Sequence, residues 1–292
     1  MSAADEHLAT RRSAGLFDFS FMGLYEFDDK SELQSVQTRE LDALVPGQIA
    51  YTLLLREDGA VLIDATVWRL DERRFWLFAG KRARYGGRDR SREYAVLALQ
   101  GPASGRILAR VIGAEAVRAL QYFRFIQSPV IVGRIGYSGE LGYEILVRNA
   151  DAAAFGRKLL DAGRGEDLRD CTWAAANSLR IEAGYVLFDR EVDGRANPRE
   201  LGLERLAPGR TFALTRRLVG LELLGEPVRP DHPVAQLTSE CFSPTLQKHV
   251  GLGFVAPQIP FGAAVRAGER LARVAALPFY DPERRRPRSA PL

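Results

Sequence analysis

Two acidic side chains lie inside apolar, alternating segments and are the first candidates for chemistry. Asp64 occurs in GAVLIDATVWRL, and Glu144 occurs in GYSGELGYEILV. A carboxylate among the apolar residues of a strand costs free energy unless it is hydrogen-bonded, paired with a cation or exposed to water. Each carboxylate is therefore either a solvent-facing strand residue, a structural ion pair or part of a ligand site.

The segment around Asp64 allows two interpretations. Strand alternation places Asp64 on one face with Leu62, Thr66 and Trp68, and an apolar set on the other face. The first interpretation is that the Asp64 face meets solvent, because charged residues are seldom fully buried. The second is that it forms a ligand-facing wall in which Trp68 supplies an aromatic platform. An acid in that position accepts a proton or stabilises a cationic amine or sulfonium centre.

Glu144 also allows two interpretations. It shares a strand face with Leu146, whereas the residues between and beside them form an opposite, apolar face. The two oxygens of a carboxylate can accept a pair of parallel N–H bonds, as presented by a guanidinium group or by the aminopyrimidine edge of a pterin. The structural alternative is a salt bridge to Arg134 on the neighbouring strand.

The elements that would position these residues are a mixture of hairpins and helices. AYTLLLREDGAVLIDATVWRL predicts two strands around Asp58-Gly59, and RIGYSGELGYEILV predicts a second hairpin. DAAAFGRKLLDAG predicts a helix that stops at Gly163, and CTWAAANSLRIEAGYVLF predicts another, with a buried stripe from Leu179 to Leu187. Short strands after Phe212 predict a small all-β barrel. Because strands and helices do not alternate regularly, the pattern favours an α+β fold.

Composition excludes several classes of protein. The chain has 292 residues, of which 46% are hydrophobic, and its net charge is +4. Cys171, Cys241 and the three histidines are scattered, so the sequence predicts neither a disulfide framework nor a metal site. The chain shows neither a secretory leader nor an apolar run of about 18 residues, which predicts a cytoplasmic protein that does not span a membrane.

The basic residues are almost all arginines interleaved with acidic residues, which does not predict a nucleic-acid groove. Two clusters are denser, KRARYGGRDRSR (residues 81–92) and ERRRPR (residues 283–288). Each is either an exposed, solvated segment or a site for an anionic ligand.

Seven segments, taken in order, resemble a known family. They are SAGLFDFSFMG, GQIAYTLLLREDGAVLID, LALQGP, GYSGELGYEI, SLRIEAGYVLFDREVDGRANPRELGL, LTSECFSPTLQKHVGLGFV and PFY. Together, from about Gly15 to Arg286, they resemble the aminomethyltransferase (T-protein) family of the glycine cleavage system. The resemblance implies a three-domain cloverleaf around a folate-binding channel, with a small β-barrel as the last domain. We therefore expect two interleaved α+β domains that bind folate and catalyse the reaction in residues 1–211, a barrel in 212–283 and a basic tail in 284–292.

The resemblance also implies tetrahydrofolate as the cofactor and a role for particular residues. It implies that Asp64 is the catalytic aspartate, that Glu144 holds the pterin ring, and that the folate site is completed by Tyr137, Met22, Trp68 and Arg286 or its neighbour Arg285.

The chain departs from the family pattern at positions that bear on its activity. Phe21 stands where the family has the histidine of SHMG, and Ala176 stands where an arginine is expected to help bind folate. These departures favour a pathway-specific transferase that moves a methyl or aminomethyl group between a small methylated substrate and tetrahydrofolate. A lipoyl carrier protein is allowed as a partner but is not favoured. The alternative is a T-protein-like fold that no longer uses folate and acts as an accessory protein or binds another small molecule.

Overall fold

The computed structural model describes residues 2–292. Within that range the chain forms six α-helices and sixteen strands, together with short 3-10 turns. The helices are α1 Ala3–Arg12, α2 Lys30–Val36, α3 Ser104–Ile112, α4 Ala114–Ala119, α5 Asn149–Ala162 and α6 Trp173–Glu182. The strands are β1 Gly15–Asp18, β2 Gly23–Phe27, β3 Ile49–Leu55, β4 Val61–Arg69, β5 Phe75–Ala79, β6 Arg88–Asp89, β7 Tyr94–Gln100, β8 Phe125–Ile126, β9 Ile131–Gly133, β10 Gly142–Arg148, β11 Arg169–Cys171, β12 Arg217–Leu223, β13 Val234–Ser243, β14 Lys248–Val255, β15 Ala264–Ala267 and β16 Arg270–Ala275.

The first sheet carries Glu144 on a central strand. Its strand order is β11-β1-β7-β10-β9-β8, and Glu144 of β10 lies opposite Ala98 on one side and Gly133 on the other. The hairpin predicted for this region is present, but its first strand ends at Gly133. Residues 134–141 form a long loop, so Arg134 is not on the strand beside Glu144.

The second sheet carries Asp64 and has the order β3-β4-β5-β2-β6. Strands β3 and β4 form the hairpin predicted around Asp58-Gly59, and Gly59 has a φ of +83°, which favours glycine in the turn. The predicted alternation is also confirmed, because Ile63, Ala65 and Val67 pack into an apolar cluster on one face of the sheet. The side chains of Asp64 and Trp68 project from the other face.

The two sheets face each other across a shared layer of side chains, which we call the inter-sheet layer. The first sheet contributes Phe17 and Leu146, and the second contributes Trp68 and Phe78. Gly133 makes the close approach feasible, because a Cβ atom at that position would overlap the Trp68 indole. The opposite face of the first sheet is covered by α3, α4 and α5. Both acidic strand residues therefore project toward one layer.

The helix and barrel predictions are largely confirmed. Helix α5 ends where predicted, before Gly163, and buries Leu159. Helix α6 ends at Glu182, so the predicted stripe extends too far, and Leu187 lies outside the helix. Gly184 follows with a φ of +67°, a conformation typical of helix ends.

Strands β12-β14-β13-β15-β16 close into a barrel whose interior holds an apolar cluster that includes Val219, Leu221 and Val265. The fold is α+β, as predicted. The domain boundaries near residues 211 and 283 stay predictions.

All four arginines of the C-terminal basic cluster are exposed, as one of the two sequence interpretations implied, but three neighbouring residues attach the segment to the rest of the protein. Pro287 is buried, and the backbone carbonyl of Ser289 accepts a hydrogen bond from Arg134. Pro291 lies close against Gly105 of α3. The basic segment therefore packs against the region formed by the first sheet. Among residues 2–292, no helix has both the length and the apolar character needed to cross a membrane.

Candidate functional site

Asp64 is half-buried and projects from the same face of the second sheet as Trp68. Leu62, two residues earlier on the same face, is 42% exposed, whereas Asp64 is half-buried. Its Oδ2 accepts a hydrogen bond of 2.8 Å from the hydroxyl of Tyr51. Burial raises the pKa of Asp64, the Tyr51 hydrogen bond opposes that effect, and the nearby charge of Glu191 adds to it. The face that carries Asp64 therefore meets solvent only in part, and Asp64 itself is held by Tyr51.

Glu144 is buried without a partner. Glu144 is only 6% exposed. No hydrogen bond or ion pair to its carboxylate occurs among residues 2–292. Burial alone raises the pKa of Glu144 to about 7. The alternative of a salt bridge to Arg134 is wrong, since the Arg134 guanidinium donates instead to the carbonyl oxygens of Leu120 and Ser289. An unpaired buried carboxylate is costly, so Glu144 remains a candidate for binding a ligand that donates N–H groups.

Tyr137 forms part of an aromatic wall. Its hydroxyl donates a hydrogen bond of 2.6 Å to the carbonyl of Val186, which fixes the ring. The ring lies nearly parallel to those of Trp173 and Tyr185, at interplanar angles of 15° and 23° and centroid distances of 6.5 and 5.9 Å. The charge of Asp64 contributes to raising the pKa of Tyr137, after the larger effect of burial. Asp64 and Tyr137 are thus close enough to interact electrostatically.

Met22 lies at the edge of the same layer. It is half-buried and packs against the inter-sheet cluster, as Tyr137 does. Because Asp64 and Glu144 project from the two facing sheets toward this layer, which also contains Trp68, the structure brings five of the six predicted site residues to one region.

Trp68 requires a correction. Its side chain is completely buried, with ring centroids of Phe78 and Phe125 each 5.0 Å away. Its indole N–H donates to Thr66 at 3.0 Å. The prediction that Trp68 presents an aromatic platform to a ligand is wrong, because the close approach of Gly133 encloses the indole in the core.

Arg286 lies at the loop that follows Tyr137 and forms no ion pair with Asp64 or Glu144 among residues 2–292. Its Nη1 is 3.5 Å from Oε2 of Glu140, and its guanidinium is 4.9 Å from the centroid of Tyr280. Arg11 holds the other oxygen of Glu140 at 3.0 Å and also donates to the carbonyl of Ser138. Arg286 therefore helps to fix the Tyr137 loop in this structure, and contact with folate stays a prediction.

Three residues of the site were missed by sequence reasoning. Tyr51 could have been found, because the hairpin register places Leu53 opposite Asp64 and therefore Tyr51 two residues away on the same face. Trp173 is the first residue of α6 and Tyr185 follows its end, and nothing in the local sequence pattern indicates that their rings meet Tyr137. Their contribution depends on how the helix docks.

The residues present fit a reduced pterin. A buried acceptor without a donor matches the N–H groups along an aminopyrimidine edge, and aromatic and thioether side chains nearby match the apolar faces of a fused ring. Within residues 2–292 there is no group of three or more His, Cys, Asp or Glu that could hold a metal ion.

Comparison with known proteins gives the same family throughout. The GCVT N-terminal domain matches residues 1–208, and the glycine cleavage T-protein C-terminal barrel domain matches residues 216–281. The aminomethyltransferases of Symbiobacterium thermophilum and Bacillus subtilis are 34% and 32% identical to this chain. They align over 98% and 96% of it and over 91% of their own lengths. The first alignment spans 341 positions, more than the 292 residues of this chain, so that relative has segments that this chain lacks.

The fold of the chain is also similar to that of a solved structure from the same family. The crystal structure of the glycine cleavage system aminomethyltransferase T from Bartonella henselae superimposes with a TM-score of 0.80 at 26% identity, covering 96% of this chain and 90% of that one. The chain therefore belongs to the glycine cleavage T-protein, or aminomethyltransferase, family of folate-dependent transferases, whose cosubstrate is tetrahydrofolate.

Proposed function

We propose that the protein transfers a one-carbon unit, methyl or aminomethyl, between a small methylated substrate and tetrahydrofolate. The observation that carries this proposal is the buried carboxylate of Glu144, which has no partner among residues 2–292 and lies on the strand face that looks toward Asp64. A structural carboxylate would have been paired, since leaving it alone costs free energy. A ligand that donates N–H groups removes that cost on binding.

The proposed roles follow from position and chemistry. Glu144 accepts the N–H groups of the pterin edge, while Tyr137 and Met22 contact its apolar faces. Tetrahydrofolate, when bound, supplies the nitrogen that exchanges a proton for the carbon unit. As the carbon leaves, the electrons of the broken bond stay on the donor heteroatom, and Asp64 is placed to accept the released proton. The Tyr51 hydrogen bond keeps the Asp64 carboxylate oriented for that step.

Two departures from the family pattern support a small methylated donor over a lipoyl carrier protein as the source of the carbon. Phe21 and Ala176 replace two polar family residues, and Phe21 is exposed beside the aromatic wall. An apolar approach to the site suits a methyl-bearing small molecule. A lipoyl carrier protein stays allowed as a partner.

The proposal is tested by calorimetry with tetrahydrofolate under anaerobic conditions. We expect saturable binding at one site per chain, and we expect folate-dependent loss of a 13C-labelled methyl group from at least one member of a panel of methylated amines, sulfonium compounds and aryl methyl ethers. Absence of any binding heat from correctly folded protein would favour the alternative of a T-protein-like fold that no longer uses folate.

We choose the second basic cluster as the candidate for the anionic glutamate tail of folate because of its position beside Tyr185. In the first cluster, Lys81 pairs with Asp189, and Arg88 and Arg90 pair with Glu26. Arg82, Arg84 and Arg92 of the first cluster have no acidic partner among residues 2–292, so the two clusters differ in position and not in having unpaired charge.

In the second cluster, Arg284 and Arg288 have no acidic partner within the described residues. Their guanidinium groups lie 5.8 Å from the ring of Tyr185 and 5.6 Å from that of Tyr122. Since Tyr185 stacks on Tyr137, these arginines lie next to the proposed folate site.

We expect affinity for folate to rise with the number of glutamates in its tail and to fall with added salt, as screening of exposed charges requires. The double variant Arg284→Gln/Arg288→Gln should lose most of that dependence. Arg84→Gln, in the first cluster, is the matched control and should keep it. Equal affinity of the unaltered protein for mono- and polyglutamate forms at low salt would exclude this role.

A further inference from the structure

One backbone segment holds the aromatic wall formed by Tyr137, Trp173 and Tyr185. The ring of Tyr185 stacks on that of Tyr137, and the carbonyl oxygen of Val186 accepts the Tyr137 hydroxyl at 2.6 Å. We call residues 185–187 the wall segment. Because a hydrogen bond of that length leaves the phenol little freedom, the backbone of the wall segment determines where the Tyr137 ring lies.

A buried ion pair holds the wall segment on both sides of Val186. The two partners, Arg180 and Glu191, are 1% and 0% exposed, and their charged groups lie 2.7 Å apart. Nη1 of Arg180 also donates to the carbonyl of Tyr185 at 3.1 Å, and Oε2 of Glu191 accepts from the amide of Leu187 at 3.0 Å. The peptide groups before and after Val186 are therefore both fixed by this pair.

Two adjacent hydroxyl groups of the barrel complete the ion pair. Consecutive side chains of a regular strand point to opposite faces, so neighbouring residues do not normally reach one group. The pairing of β13 with β14 shifts register between Leu237 and Ser239, with Thr238 as the extra residue. At this irregularity the hydroxyls of Thr238 and Ser239 both lie 2.6 Å from Oε1 of Glu191.

Glu191 differs from Glu144 in having no free capacity for a ligand. Each of its oxygens has two donors, the two hydroxyls at Oε1 and the Arg180 guanidinium and Leu187 amide at Oε2. Four hydrogen bonds use the lone pairs of a carboxylate. A buried ion pair is weak evidence for stability, but its bond directions permit few arrangements of the segments that it joins. Glu191 is therefore suited to fixing geometry.

We propose that Glu191 is a positioning residue for the proposed folate site, and that Thr238 and Ser239 orient it, so that the barrel fixes the Tyr137 ring before folate binds. This role rests on the proposed function for its ligand, but the hold on the wall segment exists without folate. A ligand that must order a loosened wall loses affinity, because the ordering entropy is subtracted from the binding free energy.

The test removes both hydroxyls with the double variant Thr238→Val/Ser239→Ala and leaves the Arg180–Glu191 pair in the chain. Amide hydrogen exchange at Leu187, measured without folate, should become at least about tenfold faster, because this amide loses a correctly oriented acceptor. The dissociation constant for tetrahydrofolate, measured by calorimetry, should rise about tenfold, the effect of about one net hydrogen bond.

Two further variants separate positioning from general stability. Thr238→Ser keeps both hydroxyls and should retain the exchange rate and the folate affinity. Thr215→Val is the matched control, because the Thr215 hydroxyl also donates to a buried carboxylate, that of Glu200. It should leave exchange at Leu187 and folate affinity unchanged. Thermal melts, and amide exchange in helix α5, distinguish local loosening from loosening of the whole protein.

Unchanged exchange at Leu187 in the double variant would overturn the proposal, and so would faster exchange with unaltered folate affinity. The same two changes in Thr215→Val would also overturn it, since they would follow from lost stability. The proposed function fails in a different way. If the unaltered protein binds no folate, the function is refuted together with this role, whereas equal binding by the unaltered protein and the double variant refutes the positioning role alone.

Discussion

Replacing Asp64 by asparagine is expected to lower the turnover number about 100-fold or more, while the affinity for tetrahydrofolate stays within a few-fold of the unaltered protein. A loss of that size is typical of removing a general acid–base or charge-stabilising group. Asparagine keeps the size of the side chain and its ability to accept the Tyr51 hydrogen bond, so the variant removes chiefly the negative charge and the basic oxygen.

The Asp64→Asn change should affect the turnover number but not the folate affinity because Asp64 and Glu144 lie on different sheets. Asp64 lies on the second sheet, whereas the proposed pterin anchor Glu144 lies on the first, so the ground-state contacts of folate should survive the change. A group that acts only as charge develops lowers the turnover number without changing the ground-state affinity.

The measurement uses the donor identified by the labelled-methyl screen, with folate affinity from calorimetry on the same preparation. Asp58→Asn makes the same chemical change in the exposed turn of the same hairpin and should leave both quantities unaltered. Near-full turnover of Asp64→Asn would mean that catalysis depends on positioning alone.

Glu144→Gln should have two opposite effects, a weaker affinity for folate and a more stable free protein. Loss of a hydrogen bond to a charged group costs roughly 1.5–3 kcal/mol, which corresponds to about a 10- to 150-fold rise in the folate dissociation constant. The stabilising effect arises because the carboxylate is buried without a partner in the free protein, and the amide carries no charge to desolvate.

The pH dependence of that stabilisation has a definite sign. The ordinary pKa of the Glu144 carboxyl is 4.5, and burial raises it to about 7 in the folded protein. Between these values the folded state holds a proton that the unfolded state has released, so the contribution of Glu144 to stability falls as the pH rises. Above pH 7 the penalty is complete and of order 3 kcal/mol, and below pH 4.5 it vanishes.

Thermal melts of the two proteins without folate measure this effect. Glu144→Gln should melt at a higher temperature than the unaltered protein at pH 8, and the difference should shrink toward zero near pH 4.5. Glu57→Gln, an exposed glutamate in the turn after β3, is the control and should show no such trend. A lower melting temperature at pH 8 together with unchanged folate affinity would assign Glu144 a structural role.

Local patterns predicted the features that depend on neighbouring residues in the chain. The β3–β4 hairpin follows from Asp58-Gly59 and from strand alternation, both of which act within about twenty residues. The same alternation placed Asp64 and Glu144 on the correct strand faces. The barrel was predictable from short strands separated by turn residues. The family resemblance supplied the roles of these residues, which no local pattern could give.

The features that sequence reasoning missed depend on contacts between distant segments. Trp68 has the alternation of a ligand-facing residue, and only the docking of Gly133 from the other sheet buries it. Arg134 had a plausible partner in Glu144, but the C-terminal segment supplies the carbonyl of Ser289 instead. In each case a residue far along the chain decides the environment, and its position cannot be derived from spacing alone.

The contact between Trp68 and Gly133 has a consequence for how such proteins can diverge. A side chain larger than hydrogen at position 133 is tolerated only after the indole at position 68 has been replaced by something smaller. The two positions must therefore change in a fixed order, although 64 residues separate them in the gene product. Consider a chimaera whose junction between this chain and a homologue falls between positions 68 and 133. It would take each of the two residues from a different parent, and these would clash or leave a gap unless both parents have the same residues at both positions. Successful recombination points should therefore fall outside residues 68–133.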